Sequence, residues 1–268
     1  MPKTTRNGVT LHYEVEGYGQ PVLLIHGHTL DLTIWDDLAV PLIAAGCQVI
    51  RYDLRGHGRS DRPEKDYRIS DHAMDAFSIL DHANVDRAAV IGYSIGGGIA
   101  LEMALTDPLR VDRLGLMSPV LPDRPFEQAF FDNLREVARV ARTDGITAAM
   151  IGPWMASPLW AASLSKTGVA QRLESIVGNF PGAEYLASQR DQPDRDWNVP
   201  DRLGEIPQPT LVMVGELEMP GFLAWASEIS EKIPHATLEI FDEMSHLHLL
   251  ENPDHIADVV TQFTKCVD

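Results

Sequence analysis

The chain reads as an α/β protein with a doubly wound, mostly parallel sheet. Three observations predict this class. Short continuous apolar runs recur along the chain, each closed by a turn signal. Stretches with helical spacing of apolar residues lie between them. The alternation breaks once, over residues 122–205, where no strand-like run stands out.

Taken in order, Leu11–Glu16 alternates weakly and predicts an antiparallel edge strand. Pro21–Ile25 is continuous and ends in His26-Gly27. Gln48–Tyr52 runs into Asp53, and Ala88–Ile91 into Gly92. Leu114–Met117, Thr210–Val214 and Thr237–Ile240 complete the series. Runs of this kind suit strands buried on both faces. Between them, Ser70–Ala83 puts Ala73, Ala76, Phe77 and Leu80 at helical spacing, with Ser70 as the expected N-cap. Ile95–Leu105, Leu223–Lys232 and Asp254–Phe263 also read as helices, the last entered through Pro253.

Residues 1–121 and 206–268 are therefore expected to form the sheet core, with 122–205 inserted as a helical lid. Phe126–Arg142 and Leu164–Val177 carry helical patterns, and Gln189–Pro200 is polar and proline-bearing, as a return connection should be. In the lid, Met150, Trp154, Met155, Leu159 and Trp160 could form an apolar wall against a substrate, or simply the lid's own core. Arg135, Arg139 and Arg142 fit the solvated face of a helix better than a carboxylate site.

Composition bounds the partners. At roughly 100–200 residues per domain, 268 residues make one large domain or one with an insertion. A net charge of -17 argues against nucleic acid and against adhesion to an anionic membrane. Cys47 and Cys266 are too far apart in sequence to suggest a disulfide framework. The N-terminus leads into no apolar stretch and no run reaches the ~18 residues of a membrane span. A cytoplasmic location is expected, and a homodimer is compatible with the sequence.

The chemistry gathers at Gly92-Tyr93-Ser94-Ile95-Gly96, a G-x-S-x-G string that follows a strand and opens a helix. So tight a turn demands residues without bulk two positions either side of the serine, and Gly92 and Gly96 satisfy this. It presents Ser94 at the carboxyl end of the sheet, where open α/β sheets bind ligands. A phosphate-binding loop is disfavoured, because neither the Lys-Ser/Thr pair nor G-x-G-x-x-G is formed.

A serine nucleophile needs a base, expected as a histidine after the last strand. His246 fits, with His248 the weaker candidate. The acid that orients it should lie between serine and histidine in sequence. Glu218, in the loop after Thr210–Val214, is the first choice; Glu216 and Asp123 stay open. Backbone N–H groups of Ile95 and His28 are the expected oxyanion donors, with Gly27 allowing close approach. His26-x-His28 lacks the third ligand that a hydrolytic zinc site needs, so no metal is expected.

Together with Arg51-Tyr52-Asp53-Leu54-Arg55-Gly56-His57-Gly58-Arg59-Ser60, these motifs resemble the α/β-hydrolase superfamily over nearly the whole chain. The pieces look most like small carboxylesterases and 3-oxoadipate enol-lactonase-like hydrolases. The resemblance implies an eight-stranded sheet, a Ser-His-acid mechanism, no cofactor and a small-molecule ester or lactone substrate. It also implies that Asp53 and Arg55 brace loops. Glu218 departs from the usual aspartate. Ser94 excludes the aspartate-nucleophile chemistry of epoxide hydrolases and dehalogenases. C–C bond hydrolysis, perhydrolysis and a non-catalytic ligand-binding receptor remain as alternatives.

Overall fold

The computed structural model describes residues 3–65, 67–186 and 198–265. Its strands are β1 (Lys3–Arg6), β2 (Val9–Gly17), β3 (Gln20–Ile25), β4 (Cys47–Tyr52), β5 (Ala88–Tyr93), β6 (Val111–Met117), β7 (Thr210–Gly215) and β8 (Ala236–Phe241). They form one eight-stranded sheet in the order β1-β2-β4-β3-β5-β6-β7-β8. Pairings from β4 through β8 are parallel, while β1–β2 and β2–β4 are antiparallel. This is the α/β-hydrolase arrangement that the motifs imply.

Every residue of β5 and β7 is buried, which a strand achieves only when both sheet faces are covered. Those are the runs that read as continuously apolar. The Leu11–Glu16 run lies in β2, which is not the edge: β1 pairs outside it. Lys3-Thr4-Thr5-Arg6 buries only Thr4 fully, so the true edge strand carries no apolar signal.

The helices are α1 (Asp36–Ala44), α2 (Ile69–His82), α3 (Ile95–Thr106), α4 (Gln128–Thr143), α5 (Ile146–Ala149), α6 (Val169–Val177), α7 (Ala183–Leu186), α8 (Val199–Arg202), α9 (Pro220–Lys232), α10 (His248–Glu251) and α11 (Pro253–Thr264). α1 packs on α11, and α2 on α3. Ser70 is not the cap of α2. The helix starts at Ile69 behind Arg68, with no side-chain cap bond, because Ile69 is itself drawn into the core. α6 starts at Val169 rather than Leu164, since Gly168 at φ 82 breaks the helix before it.

Between β6 and β7 the described residues hold α4–α8 and no strand. Most of the expected return connection, residues 189–197 of Gln189–Pro200, lies outside the described residues, as does Cys266. Cys47 is buried at the start of β4. No helix among the described residues is long and apolar enough to cross a membrane.

Two buried polar braces set the loops at the carboxyl edge. Asp53 accepts from the backbone N–H of Leu32 and of Arg59, each at 2.9 Å. Arg55 forms a two-pronged pair with Asp75, both contacts at 2.7 Å and both side chains enclosed. These are the roles that the resemblance implies for Asp53 and Arg55.

Candidate active site

Ser94 sits between β5 and α3 at φ 56 and ψ -117. A non-glycine residue there is strained, and such strain persists only where the surroundings over-determine it. Here they do. The Ser94 N–H donates to Met117 O at 2.8 Å, and its carbonyl accepts from Gly97 and Val120 at 2.9 and 3.0 Å. A Cβ on Gly92 would fall 2.1 Å from Gly96 O, and one on Gly96 2.2 Å from Ile25 O. Both glycines are thus sterically required. Ile95 opens α3, whose first N–H groups have no acceptor within the helix.

Glu218 follows β7 and His246 follows β8. Nδ1 of His246 lies 2.7 Å from Oε2 of Glu218, with both side chains fully enclosed. The same Oε2 accepts from Ser118 Oγ at 2.8 Å, and Oε1 accepts from the Met219 N–H at 3.1 Å. With Nδ1 so engaged, Nε2 is the remaining ring nitrogen, and it has no hydrogen-bond partner among the described residues. Tyr93 donates to His246 O at 2.9 Å; burial, then the Glu218 carboxylate, push its phenol well above the usual range.

The alternatives lie elsewhere. Glu216 is exposed and accepts from the Glu243 N–H at 3.0 Å. Asp123 is exposed at the cavity rim. His248 contacts Ser245 O through Nδ1 at 3.3 Å, and burial lowers its pKa to about 4.

The loop after β3 reaches Ser94 through Gly27, where a Cβ would lie 3.3 Å from Ser94 Cβ and 3.0 Å from the Tyr93 ring. His28 follows it and lines the same cavity as Ser94 and Ile95. His26 is a loop support: Nδ1 donates to Gly27 O at 2.8 Å and Nε2 accepts from the Leu54 N–H at 3.0 Å. With both nitrogens used, His26 offers none to a metal. His28 Nε2 lies 2.9 Å from the Tyr185 hydroxyl. Burial lowers His26 and His28 to about 4, so both rings are neutral near pH 7.

A cavity of about 810 Å³ opens over Ser94. Trp154, Leu159 and Trp160 line it; Met150 and Met155 do not. Met150 is wholly enclosed, on a turn packed against α4 and α5, so it serves the helical segment's own core. Trp154 takes the cavity-facing side of that turn. Sequence reading missed a second set of aromatic lining residues, Phe126, Phe130, Phe131, Phe222 and Trp225. Phe126 stacks on Trp225 at 4.6 Å between ring centres. Arg135 lines the rim while paired with Asp132, whereas Arg139 is paired with Glu136 on the exposed face of α4. Ser118 was also missed; a serine just past a strand gives no signal of its own.

Comparison with known proteins agrees with this fold. The family model described as "alpha/beta hydrolase fold" matches residues 20–253. A protein named "Putative carbamate hydrolase RutD" from Azorhizobium caulinodans is 28% identical over 271 residues, covering 100% of each chain. Its namesake from Variovorax paradoxus is 30% identical over 249 residues, covering 89% of this chain and 90% of that one. Among solved structures, the N-acyl homoserine lactone degrading enzyme Est816 superposes with TM-score 0.79 at 30% identity, over 98% of this chain and 100% of that one. An enol-lactonase from Burkholderia xenovorans shares the fold at TM-score 0.79 and 22% identity, over 98% of this chain and 99% of that one. From its sheet order, its strained serine turn and these matches, the chain belongs to the alpha/beta hydrolase fold family.

Proposed function

We propose that this hydrolase cleaves a carboxylic ester or lactone through an acyl-enzyme on Ser94. The observation that carries the reading is the strained Ser94 turn beneath the cavity, together with the enclosed Glu218–His246 pair. Ser94 Oγ attacks the carbonyl carbon as its proton passes to His246 Nε2. Glu218 holds the neutral ring in the Nδ1–H tautomer and stabilises the imidazolium once formed. The N–H groups of Ile95 and His28 receive the oxyanion, each such donor contributing about 2.7–4 kcal/mol. His246 returns the proton to the leaving alkoxide. Water then attacks the acyl carbon with His246 as base again, releasing acid and free Ser94.

Residues 122–205 are read as a lid, with the aromatic wall receiving an apolar acyl chain or ring. The similarity to a homoserine-lactone-degrading enzyme supports a lactone or ester carbonyl, and the named carbamate hydrolases support a related acyl substrate. A 2-hydroxymuconate semialdehyde hydrolase from Pseudomonas, 26% identical over 265 residues, keeps C–C cleavage as the second reading.

The test is turnover of an ester, lactone and carbamate panel, with organophosphonate labelling mapped to Ser94. The expected result is labelling at Ser94 and loss of turnover in Ser94→Ala. Full activity in that variant overturns the nucleophile. Turnover of a vinylogous diketone alone favours C–C hydrolysis. Tight binding of an intact ligand without labelling favours a receptor.

A further inference from the structure

We propose that Trp154 is a positioning residue for the oxyanion loop, acting through the Thr29 hydroxyl; this rests on the serine-hydrolase reading above. Trp154 lies in a π-helical turn, Met150–Trp154, of the segment inserted between β6 and β7. Its Nε1–H donates to Thr29 Oγ1 at 2.8 Å, a buried contact bridging 125 residues of sequence. Thr29 Oγ1 in turn donates to His28 O at 2.6 Å. The hydroxyl therefore has its acceptor side taken by the indole and its proton committed to the oxyanion loop.

The loop needs such a restraint. Thr29 is buried at φ 64, in the left-handed region. A β-branched side chain there is a genuine outlier and persists only when neighbours hold it. The holding contacts are the Thr29 N–H to His57 Nε2 at 3.3 Å, the Leu30 N–H to Gly27 O at 3.3 Å, and the indole–hydroxyl–carbonyl chain. The first two lie within the sheet core's own loops. The third reaches into the inserted segment, as does the contact of His28 Nε2 with the Tyr185 hydroxyl at 2.9 Å. Without the indole donor, the Thr29 hydroxyl is free to turn. The peptide between His28 and Thr29, adjacent to the proposed oxyanion donor, then loses one of its restraints.

Trp154 also lines the cavity beside Leu159 and Trp160. A substrate group packed there presses on the indole that holds the loop. Loss of that hydrogen bond is therefore read mainly in kcat, whereas loss of a mere wall is read in KM.

The experiment compares the native protein with Trp154→Phe, Thr29→Val, Thr29→Ser and the Phe/Val double variant. It uses p-nitrophenyl acetate, whose acyl group is too small to need the wall, and phenylboronic acid as a tetrahedral adduct. Organophosphonate titration counts competent sites in each preparation. Trp154→Phe and Thr29→Val are each expected to lower kcat about tenfold, with KM within about twofold and boronate affinity falling in parallel. The double variant is expected to be no worse than the worse single, and Thr29→Ser to retain activity within about twofold. An unchanged kcat in Trp154→Phe, a change in KM alone, or multiplicative effects in the double variant overturns the proposal. If Thr29→Val does not fold, Trp154→Phe and Thr29→Ser decide alone. A native protein that neither turns over esters nor labels at Ser94 overturns the proposed function and this inference with it. A native enzyme that is active while Trp154→Phe is unaffected overturns the inference only.

Discussion

Glu218 Oε2 lies 2.7 Å from His246 Nδ1, across two loops and with both side chains fully enclosed. An enclosed carboxylate of this kind needs every partner it has. Replacing Glu218 by Gln keeps the shape and removes the charge. The expected result is a fall in kcat of roughly 10³–10⁴-fold, with little change in KM. Glu216→Gln, at an exposed position, should leave kcat within about twofold. A comparable loss in both variants would remove Glu218 from the acid role.

Ser118 supplies the second hydrogen bond to that same oxygen, from φ 41 at the end of β6. Glutamate has one more rotatable bond than aspartate, so this contact limits where its carboxylate can sit. Ser118→Ala removes a hydrogen bond to a buried charged group, at a cost of about 1.5–3 kcal/mol. Ser118→Gly removes it too but relieves the backbone strain. The Gly variant should therefore unfold at higher urea than the Ala variant, while both show a similarly lowered kcat. Equal midpoints would count against the strain argument.

Folding stability should fall on acidification. His26, His28 and His248 are each held at about 4 by burial, against an ordinary 6.5. The unfolded chain therefore takes up protons between those values while the folded one does not. Their contribution is fully present above about pH 6.5 and is lost as pH falls toward 4. Going from pH 7.5 to 5.5, these three sites together cost on the order of 4 kcal/mol. Urea midpoints across that range check it; a flat profile would show that these rings accept protons in place.

The serine turn should not tolerate a methyl group. In Gly96→Ala the new Cβ would fall 2.2 Å from Ile25 O and 2.8 Å from His26 O, both backbone atoms. Either β3 or the turn must shift. Expected outcomes are destabilisation by roughly 3 kcal/mol or more, or an insoluble product. A stable, active variant would contradict the packing of α3 on β3.

The aromatic wall should set acyl preference. Phe131 lines the cavity yet is 42% exposed, so truncating it costs little stability. Phe131→Ala should raise KM for a p-nitrophenyl octanoate several-fold and leave the acetate unchanged. Equal effects on both esters would place the acyl chain elsewhere.

Much of this was legible in the sequence, for physical reasons. The central stretches of β3, β5, β6 and β7 are largely apolar because both of their faces are covered. Ser94, Gly92 and Gly96 are legible because a strained turn tolerates few residues. β1 was not, since a short polar edge strand has no periodicity to read. The aromatic wall was not either: Phe126, Phe130 and Phe131 lie just before and within α4, whereas Phe222 and Trp225 come from α9. Nothing along the chain announces that these residues converge.

The sequence by itself determined the fold class, the serine on its turn and the short list of bases and acids. Local order suffices for these, because strand, turn and helix signals are read within a few residues. Only the tertiary structure decided which carboxylate meets His246, that Ser118 grips the same oxygen, and that Trp154 reaches Thr29. Those contacts join residues 28, 100 and 125 positions apart. A hydrogen bond depends on angstroms and angles across the fold, and sequence spacing carries neither.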